Sequence, residues 1–385
     1  MDAICIMKLV LITIVLLVTL EIALFLPLVT VFGQIPYLTS SNRSFPLSSS
    51  ENQNTLKASH HILSPLTETN AAATITDTRT TSGNTSILGS NTKVVIINFD
   101  DSYKSQYTYA KPILDKYGFK ATFFEVCNWV GSGSGDNTKM TWQDIAELQN
   151  EGYDIEPHTM NHPDLKKLSS AELNFEIGQS KQCLLDHGIN PATIFAYPYG
   201  EGSNSTAVVN TVSKYYDLAR TDTTFPLTFL HCDIWKNRSS NQTDCRTYSD
   251  NGTLTFANRY SINGWSHRHI VGDYSANTRI CKDTCYYYNN SQMLERFITN
   301  VNSQDNYNKY GIIRAIPIVI YHTFVTYPDV SYSERPVDTT VNLFDAEMRY
   351  LHDNGFEIVT MANLAYDENS NYLYIDKKQD SRLPQ

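Results

Sequence analysis

Val94-Val95-Ile96-Ile97-Asn98-Phe99-Asp100-Asp101 is an apolar run that closes on two carboxylates. A second stretch, Tyr153-Asp154-Ile155-Glu156-Pro157-His158-Thr159-Met160-Asn161-His162, closes on a pair of imidazoles. Each run reads as a buried strand with polar side chains at its C-terminal end. Two imidazoles and one carboxylate complete the protein share of a catalytic zinc and leave a coordination position for water. The other carboxylate is then free to act as a base on that water. Each fragment alone has a commoner reading. An Asp pair at a strand end is usually a solvated turn or a helix cap, and two nearby His are usually surface residues. It is their combination that points to a site.

Working outward, strands and helices alternate. Strands are expected at Val94–Phe99, Ala121–Val126, Tyr153–Glu156, Thr193–Tyr197, Tyr216–Arg220, Phe256–Ile262, Ile316–Tyr321 and Phe356–Thr360. Helices are expected at Tyr107–Tyr117, Thr141–Asn150, Ala207–Tyr215, Ser291–Val301 and Val341–Asp353, and from a cap at Ser169 to Gly188. Thr141 with Asp144 and Ser169 with Glu172 have capping-box spacing, and Gly118, Gly152 and Gly188 stop the helices that precede them. Repeated strand–helix units imply a parallel sheet, and about seven or eight of them suit a closed barrel. In such barrels the reactive groups sit at the C-terminal strand ends. Asp100, Asp101, His158, Tyr199 and His322 all fall there.

The order and spacing of these fragments resemble the NodB-like polysaccharide deacetylases, carbohydrate esterase family 4, from about Lys93 to Leu364. Pro163-Asp164-Leu165 extends the His pair as in the family's metal motif. Phe195-Ala196-Tyr197-Pro198-Tyr199-Gly200 resembles its third motif, and Ile316-Pro317-Ile318-Val319-Ile320-Tyr321-His322 resembles the late strand that carries a catalytic His. Phe344 to Thr360 resembles the final helix and strand. The resemblance implies an α/β fold, a distorted (β/α) barrel of about seven strands with one imperfect turn. It also implies a divalent metal, zinc by the donor set, held by Asp101, His158 and His162. Asp100 is the expected base, His322 the acid that protonates the leaving amine, and the backbone N–H of Tyr199, after Pro198, the oxyanion donor.

Two departures stand out. The family's best-known form has an Arg two residues before the Pro of the third motif, where it orients the base. This chain has Ala196, as some members do. Arg220 and Arg259 are the candidate substitutes, and Arg259 is preferred. The fourth motif, whose Asp tunes the catalytic His, has no clear match, since Asp217 starts a strand rather than ending one.

Composition bounds the rest. The chain has 385 residues, a formal net charge of −10 and no basic block, which argues against a nucleic-acid partner. Leu9 to Phe32 is almost wholly apolar, long enough to span a bilayer or to serve as an overlong signal peptide. Glu21 and Pro27 complicate a plain span. Either way the protein is expected to be exported, extracellular or anchored at the cell surface. Domain bounds are then a signal or anchor over 1–33, a Ser/Thr/Asn-rich disordered spacer over 34–92, a catalytic domain over 93–366 and a polar tail over 367–385. Cys5 lies in the export segment, and an even set of six remains, with Cys232–Cys245 and Cys281–Cys285 as local disulfide candidates. Asn42, Asn84, Asn204, Asn237, Asn241, Asn251 and Asn289 stand in glycosylation sequons.

An insertion at about 222–290 carries four Cys, Trp235, Trp265 and Tyr286-Tyr287-Tyr288. It reads equally as an aromatic wall of a polymer groove or as a disulfide-stapled lid. His267 and His269 within it read as surface residues rather than metal ligands. Three functions compete: removal of N-acetyl groups from a GlcNAc-type polysaccharide, hydrolysis of another amide or an O-acetyl ester on the same fold, and glycan binding without catalysis. The last predicts an eroded site, whereas Asp100, Asp101, His158, His162 and His322 are all present.

Overall fold

The computed structural model describes residues 93–189, 192–230, 259–275, 280–368 and 372–376. The export segment, the 34–92 spacer, Trp235, the Cys232–Cys245 pair and the sequons at Asn42, Asn84, Asn237, Asn241 and Asn251 lie outside them. Seven strands form one parallel path: β1 (Val94–Asp100), β2 (Thr122–Glu125), β3 (Asp154–Pro157), β4 (Ile194–Ala196), β5 (Leu218–Thr223), β7 (Ile262–Ser266) and β10 (Ala315–Tyr321). Their spatial order is β3-β2-β1-β10-β7-β5-β4. Read as a circle, this is chain order with one break, between β3 and β4. The fold is a nearly closed parallel barrel.

Alternation along each strand divides the apolar residues between two faces. Val95, Ile97 and Phe99 of β1 pack outward with Ile113 and Leu114 of helix α1 (Lys111–Tyr117) and with Phe344 and Met348 of a late helix, Val341–Asp353. Val94 and Ile96 join Ile194, Leu218, Ile262, Ile316 and Ile318 in a separate cluster free of α-helical residues, the barrel interior. The expected capping boxes form. The Asp144 carboxylate accepts from Thr141 N at 2.7 Å and the Glu172 carboxylate from Ser169 N at 2.7 Å. Gly118 stops α1 with φ 70°.

The break between β3 and β4 is bridged by side chains rather than by a ladder. Glu156, fully buried on β3, accepts from the backbone N–H groups of Thr193 and Ile194 at 3.0 and 2.9 Å. Two residues further along, His158 Nδ1 lies 2.8 Å from the carbonyl of Ala196.

The structure moves three sequence boundaries. β5 continues past Arg220 to Thr223. The strand expected at Phe256–Ile262 lies at Ile262–Ser266 and pairs with β5 and β10, so the 222–290 stretch contains a barrel strand and is not one insertion. The rest of that stretch includes β6 (Leu227–Phe229), antiparallel to β10, and a hairpin of β8 (Ile270–Ser275) and β9 (Ile280–Tyr287). Beyond 366, Tyr372–Ile375 pairs with Leu364–Asp367 and buries Leu373 and Ile375 in the interior cluster. This part of the expected polar tail belongs to the fold, because its alternate apolar residues cover the barrel core.

Burial, then the neighbouring Asp154, lifts the Glu156 carboxyl well above its ordinary range. A carboxyl with a raised folded-state pKa binds more protons folded than unfolded. Its contribution to stability is therefore greatest at low pH and falls as pH rises above the ordinary carboxylate range. Glu156→Gln should flatten this dependence in urea titrations run at successive pH values. Glu156→Ala should cost about 2–4 kcal/mol, because it orphans the N–H groups of Ile194, buried, and Thr193, partly buried.

Candidate metal and catalytic site

At the C-terminal ends of β1 and β3 the chain turns through left-handed backbone without glycine. Asp101 has φ 74°, Ser102 57°, Thr159 73° and His162 60°. Such conformations cost free energy and persist where the surroundings enforce them. Here the surroundings are visible. Lys139 Nζ donates to the carbonyl of Asp101 at 2.8 Å and sits over the rings of Tyr103 and Trp129 at 3.3 and 4.4 Å. Its burial brings the ammonium pKa down to about 8. The Glu176 carboxylate accepts from the N–H groups of Met160 and Asn161 at 3.1 and 2.9 Å. Thr159 Oγ1 accepts from His162 N at 2.8 Å. Cys127 N and Asn128 N donate to the carbonyls of Thr159 and Met160 at 3.1 and 3.0 Å, and a Cys127–Cys183 disulfide ties this support to helix Gln179–Asp186.

The result brings Asp101, His158 and His162 together, with one donor atom from each within 4.8 Å of the others. His162 Nε2 lies 3.3 Å and His158 Nε2 3.7 Å from Asp101 Oδ1. Because Nδ1 of His158 is turned to the Ala196 carbonyl, Nε2 is the nitrogen left for the cluster. Asp101 Oδ1 is buried with no hydrogen-bond donor. Burial opposes ionisation of Asp101, but the fields of His162, His322, His158 and Lys139 outweigh it and hold the carboxyl below its ordinary pKa. Burial also lowers both imidazoles, His162 to about 4. A carboxylate, two neutral imidazoles and an orphaned buried oxygen fit a divalent cation.

Asp100, 4% exposed, receives Arg220 instead of a place in this triad, although His158 Nε2 is 3.9 Å from Oδ2. Arg220 Nη2 lies 2.7 and 2.8 Å from the two Asp100 oxygens, and the guanidinium stacks on Phe124 at 4.7 Å. It is fully buried inside the barrel. Gly264 on β7 leaves room for it, since a Cβ there would come within 3.1 Å of Arg220 Cδ and 2.6 Å of Ile320 Cδ1. This corrects the preference for Arg259, which pairs with Glu368 at the surface, 2.7 Å away. Arg259 precedes β7, at the opposite end of the barrel from the site.

His322 follows β10 and shares with the triad a cavity of about 630 Å³ that Tyr199, Asp222, Trp265 and Arg268 also line. Its Nδ1 is buried without a partner. Gln106 joins the two halves of the site, donating from one Nε2 to the carbonyls of Asp100 and His322 at 2.6 and 2.8 Å. Pro198 is buried, and Tyr199, 61% exposed with φ 59°, stands edge-on to His162 at 4.5 Å. Asp217 is exposed and outside the cavity. The carboxylate that β5 brings to it is Asp222, paired with Arg268 at 2.5 Å.

His267 and His269 are buried, against the surface reading. His267 Nε2 lies 2.8 Å from Glu347, whose other oxygen accepts from Tyr321 at 2.8 Å, and Nδ1 lies 3.0 Å from Thr339. His269 Nε2 lies 3.2 Å from the Ser333 carbonyl. Neither joins a metal-competent cluster among the described residues. Cys281 and Cys285 are bonded as expected, and the β8–β9 hairpin they brace contributes Ile270, Val271 and Gly272 to the cavity wall.

Residues 89–216 match the family model described as "Polysaccharide deacetylase". The chain carries a polysaccharide deacetylase domain of the NodB-like, carbohydrate esterase family 4 kind. The Bacillus subtilis protein YxkH is 34% identical over 114 residues, 30% of this chain and 39% of its own length. A poly-beta-1,6-N-acetyl-D-glucosamine N-deacetylase of Staphylococcus aureus is 32% identical over 116 residues, 28% of this chain and 40% of its own. The chain thus spans about two-fifths of these relatives. Among solved structures, a family 4 carbohydrate esterase from Streptomyces lividans aligns over 74% of this chain and 98% of its own at 12% identity and a TM-score of 0.40.

Removing the wrong arginine should be nearly silent and removing the right one costly. Arg220→Leu should lower unfolding free energy by about 3–5 kcal/mol, because it strands a buried carboxylate. Arg259→Leu should cost less than about 1 kcal/mol, since its partner is exposed. Denaturant midpoints of the two variants, read beside the parent, check this. A comparable loss in both would remove Arg220 from this role.

Proposed function

We propose that the protein is a metal-dependent hydrolase that removes N-acetyl groups from a GlcNAc-type polysaccharide. The observation that carries this reading is the placing of a base (Asp100), a three-donor metal cluster (Asp101, His158, His162) and an acid (His322) around one groove. Asp101, His158 and His162 would hold the metal, zinc by this donor set. When bound, it lowers the pKa of a water towards neutrality and polarises the acetyl carbonyl.

The chain's own residues supply the rest. Asp100, oriented through Arg220, accepts the proton of the attacking water. Tyr199, next to His162, offers its backbone N–H to the carbonyl oxygen as charge gathers there. An amine is a poor leaving group until protonated, and His322, at the end of the strand beside the one that carries Asp100, delivers that proton. Gln106 keeps the base and acid in register by holding the carbonyls of both residues. The reading also takes the protein as exported. Leu9–Phe32, the sequons and the Cys127–Cys183 and Cys281–Cys285 disulfides support that, and protease accessibility on intact cells checks it.

Elemental analysis of the purified protein should find about one divalent ion per chain, and His158→Ala should lose it. Equal metal in both would reject the ligand set. Asp100→Asn should keep the metal and lose acetate release from N-acetylglucosamine oligomers. Near-normal turnover in that variant would remove Asp100 as the base.

His322→Ala tests the acid separately. It should slow amide hydrolysis by roughly a hundredfold to ten-thousandfold. An activated acetyl ester, whose leaving group needs no proton, should lose far less. Equal losses on amide and ester would make His322 a substrate contact instead.

A further inference from the structure

The wall of the groove beyond the metal cluster carries three guanidinium groups, Arg268, Arg296 and Arg335. Two are already matched to carboxylates. Arg268 pairs with Asp222 at 2.5 Å, and Arg335 with Asp338 at 2.8 Å. Arg296 is not. It stands on helix Asn290–Asn302, between the buried anchors Met293 and Phe297, and its ring contacts are Trp265 at 5.5 Å and Tyr288 at 4.6 Å. Its Nη1 donates to the Arg268 carbonyl at 3.0 Å and meets Met293 Sδ at 3.8 Å. Among the described residues no carboxylate lies within ion-pair reach of it. Asp100, Asp101, Asp222 and Glu334 line the same cavity, yet none of them touches it.

A half-buried guanidinium stacked on two aromatic faces and fixed through one nitrogen is pre-oriented, with donors left for a further acceptor. Chains with a net charge of −10 repel anions at long range, so a groove cation with no carboxylate partner among the described residues has a local purpose. The planar fork of Arg matches a carboxylate better than any neutral sugar hydroxyl.

We propose that Arg296 forms an anion-recognising subsite, and that the acetylated glycan this groove takes carries a carboxylate on a sugar next to the N-acetylated one. This rests on the deacetylase reading above and narrows its substrate class. The carboxylate docks on the free edge of the Arg296 guanidinium while the N-acetyl group reaches the metal cluster. Asp222 and Asp338 keep Arg268 and Arg335 from competing for it.

The test compares two probes on the metal-loaded full chain: a tetrasaccharide alternating N-acetylglucosamine with glucuronate, and chitotetraose. The parent should prefer the first in kcat/KM. Arg296→Met should lose about tenfold to a hundredfold on it and little on chitotetraose or on an activated acetyl ester. Arg296→Lys should recover part of the loss, and rising salt should erode the preference in the parent alone. No preference in the parent, or equal losses on both oligomers with an unchanged melting temperature, overturns the subsite. If the parent releases no acetate from either oligomer, the deacetylase reading has failed, and calorimetric binding to Asp100→Asn decides the subsite independently. Tighter binding of the uronate oligomer that vanishes with Arg296→Met supports it, and equal binding of the two oligomers overturns it.

Discussion

The site is organised around one buried ion pair, Arg220 with Asp100. A guanidinium enclosed in a barrel loses its hydration, and a carboxylate beside it loses its own. Such a pair persists only if each satisfies the other and the remaining donors find acceptors. Arg220 meets this condition through both Asp100 oxygens, the carbonyl of Thr221 and the face of Phe124. The pair spans the interior from β5 to β1, so it fixes where the end of β1 lies relative to the opposite wall. Gly264 is part of the same constraint, because any side chain there would compete for the volume Arg220 occupies. With Asp100 held in this way, Asp101 must turn the other way, and its left-handed backbone points the two carboxylates to different partners.

The strain of that turn is distributed rather than concentrated. Lys139 holds the Asp101 carbonyl, Gln106 the Asp100 and His322 carbonyls, and Glu176 the N–H groups of the His158–His162 loop. None of these three residues lines the cavity, yet each replaces a backbone hydrogen bond that a regular element would have made. Side chains held from behind by charged or amide groups keep their arrangement without a bound ion, which suits a candidate metal cluster.

Much of this was legible in the sequence, and the limits have physical causes. The strand that ends at Asp100, the strand that ends just before His158, and the helix Val341–Asp353 follow from apolar periodicity and from caps, which are local signals. Asp101, His158 and His162 were legible as a candidate donor set because they lie within short motifs, and the structure does bring them together. Arg220 was visible as a candidate but could not be chosen over Arg259. Its partner lies 120 residues away, and the strand that carries it runs three residues further than its apolar pattern suggests. His267 and His269 misled because an imidazole beside Arg268 in a polar stretch resembles surface, and the Glu347 that takes His267 into the core stands 80 residues on. The Cys127–Cys183 pairing was hidden for the same reason, its two cysteines being 56 residues apart. Lys139, Gln106 and Glu176 carried no signal in their immediate surroundings, since a buried clamp and a solvated side chain look alike without the third dimension.

The break in the barrel explains why the site lies where it does. A continuous ladder between β3 and β4 would have used the Ala196 carbonyl and the N–H groups of Thr193 and Ile194 for backbone pairing. With the ladder missing, Glu156 takes the N–H groups and His158 the carbonyl. The first substitution closes the barrel wall at the cost of burying a carboxyl. The second turns a wall defect into a fixed imidazole, its tautomer set and its Nε2 aimed at Asp101. A fully closed barrel would hold its strands more regularly but would leave His158 without the acceptor that orients it. The imperfect turn is thus a condition of the Asp101–His158–His162 cluster.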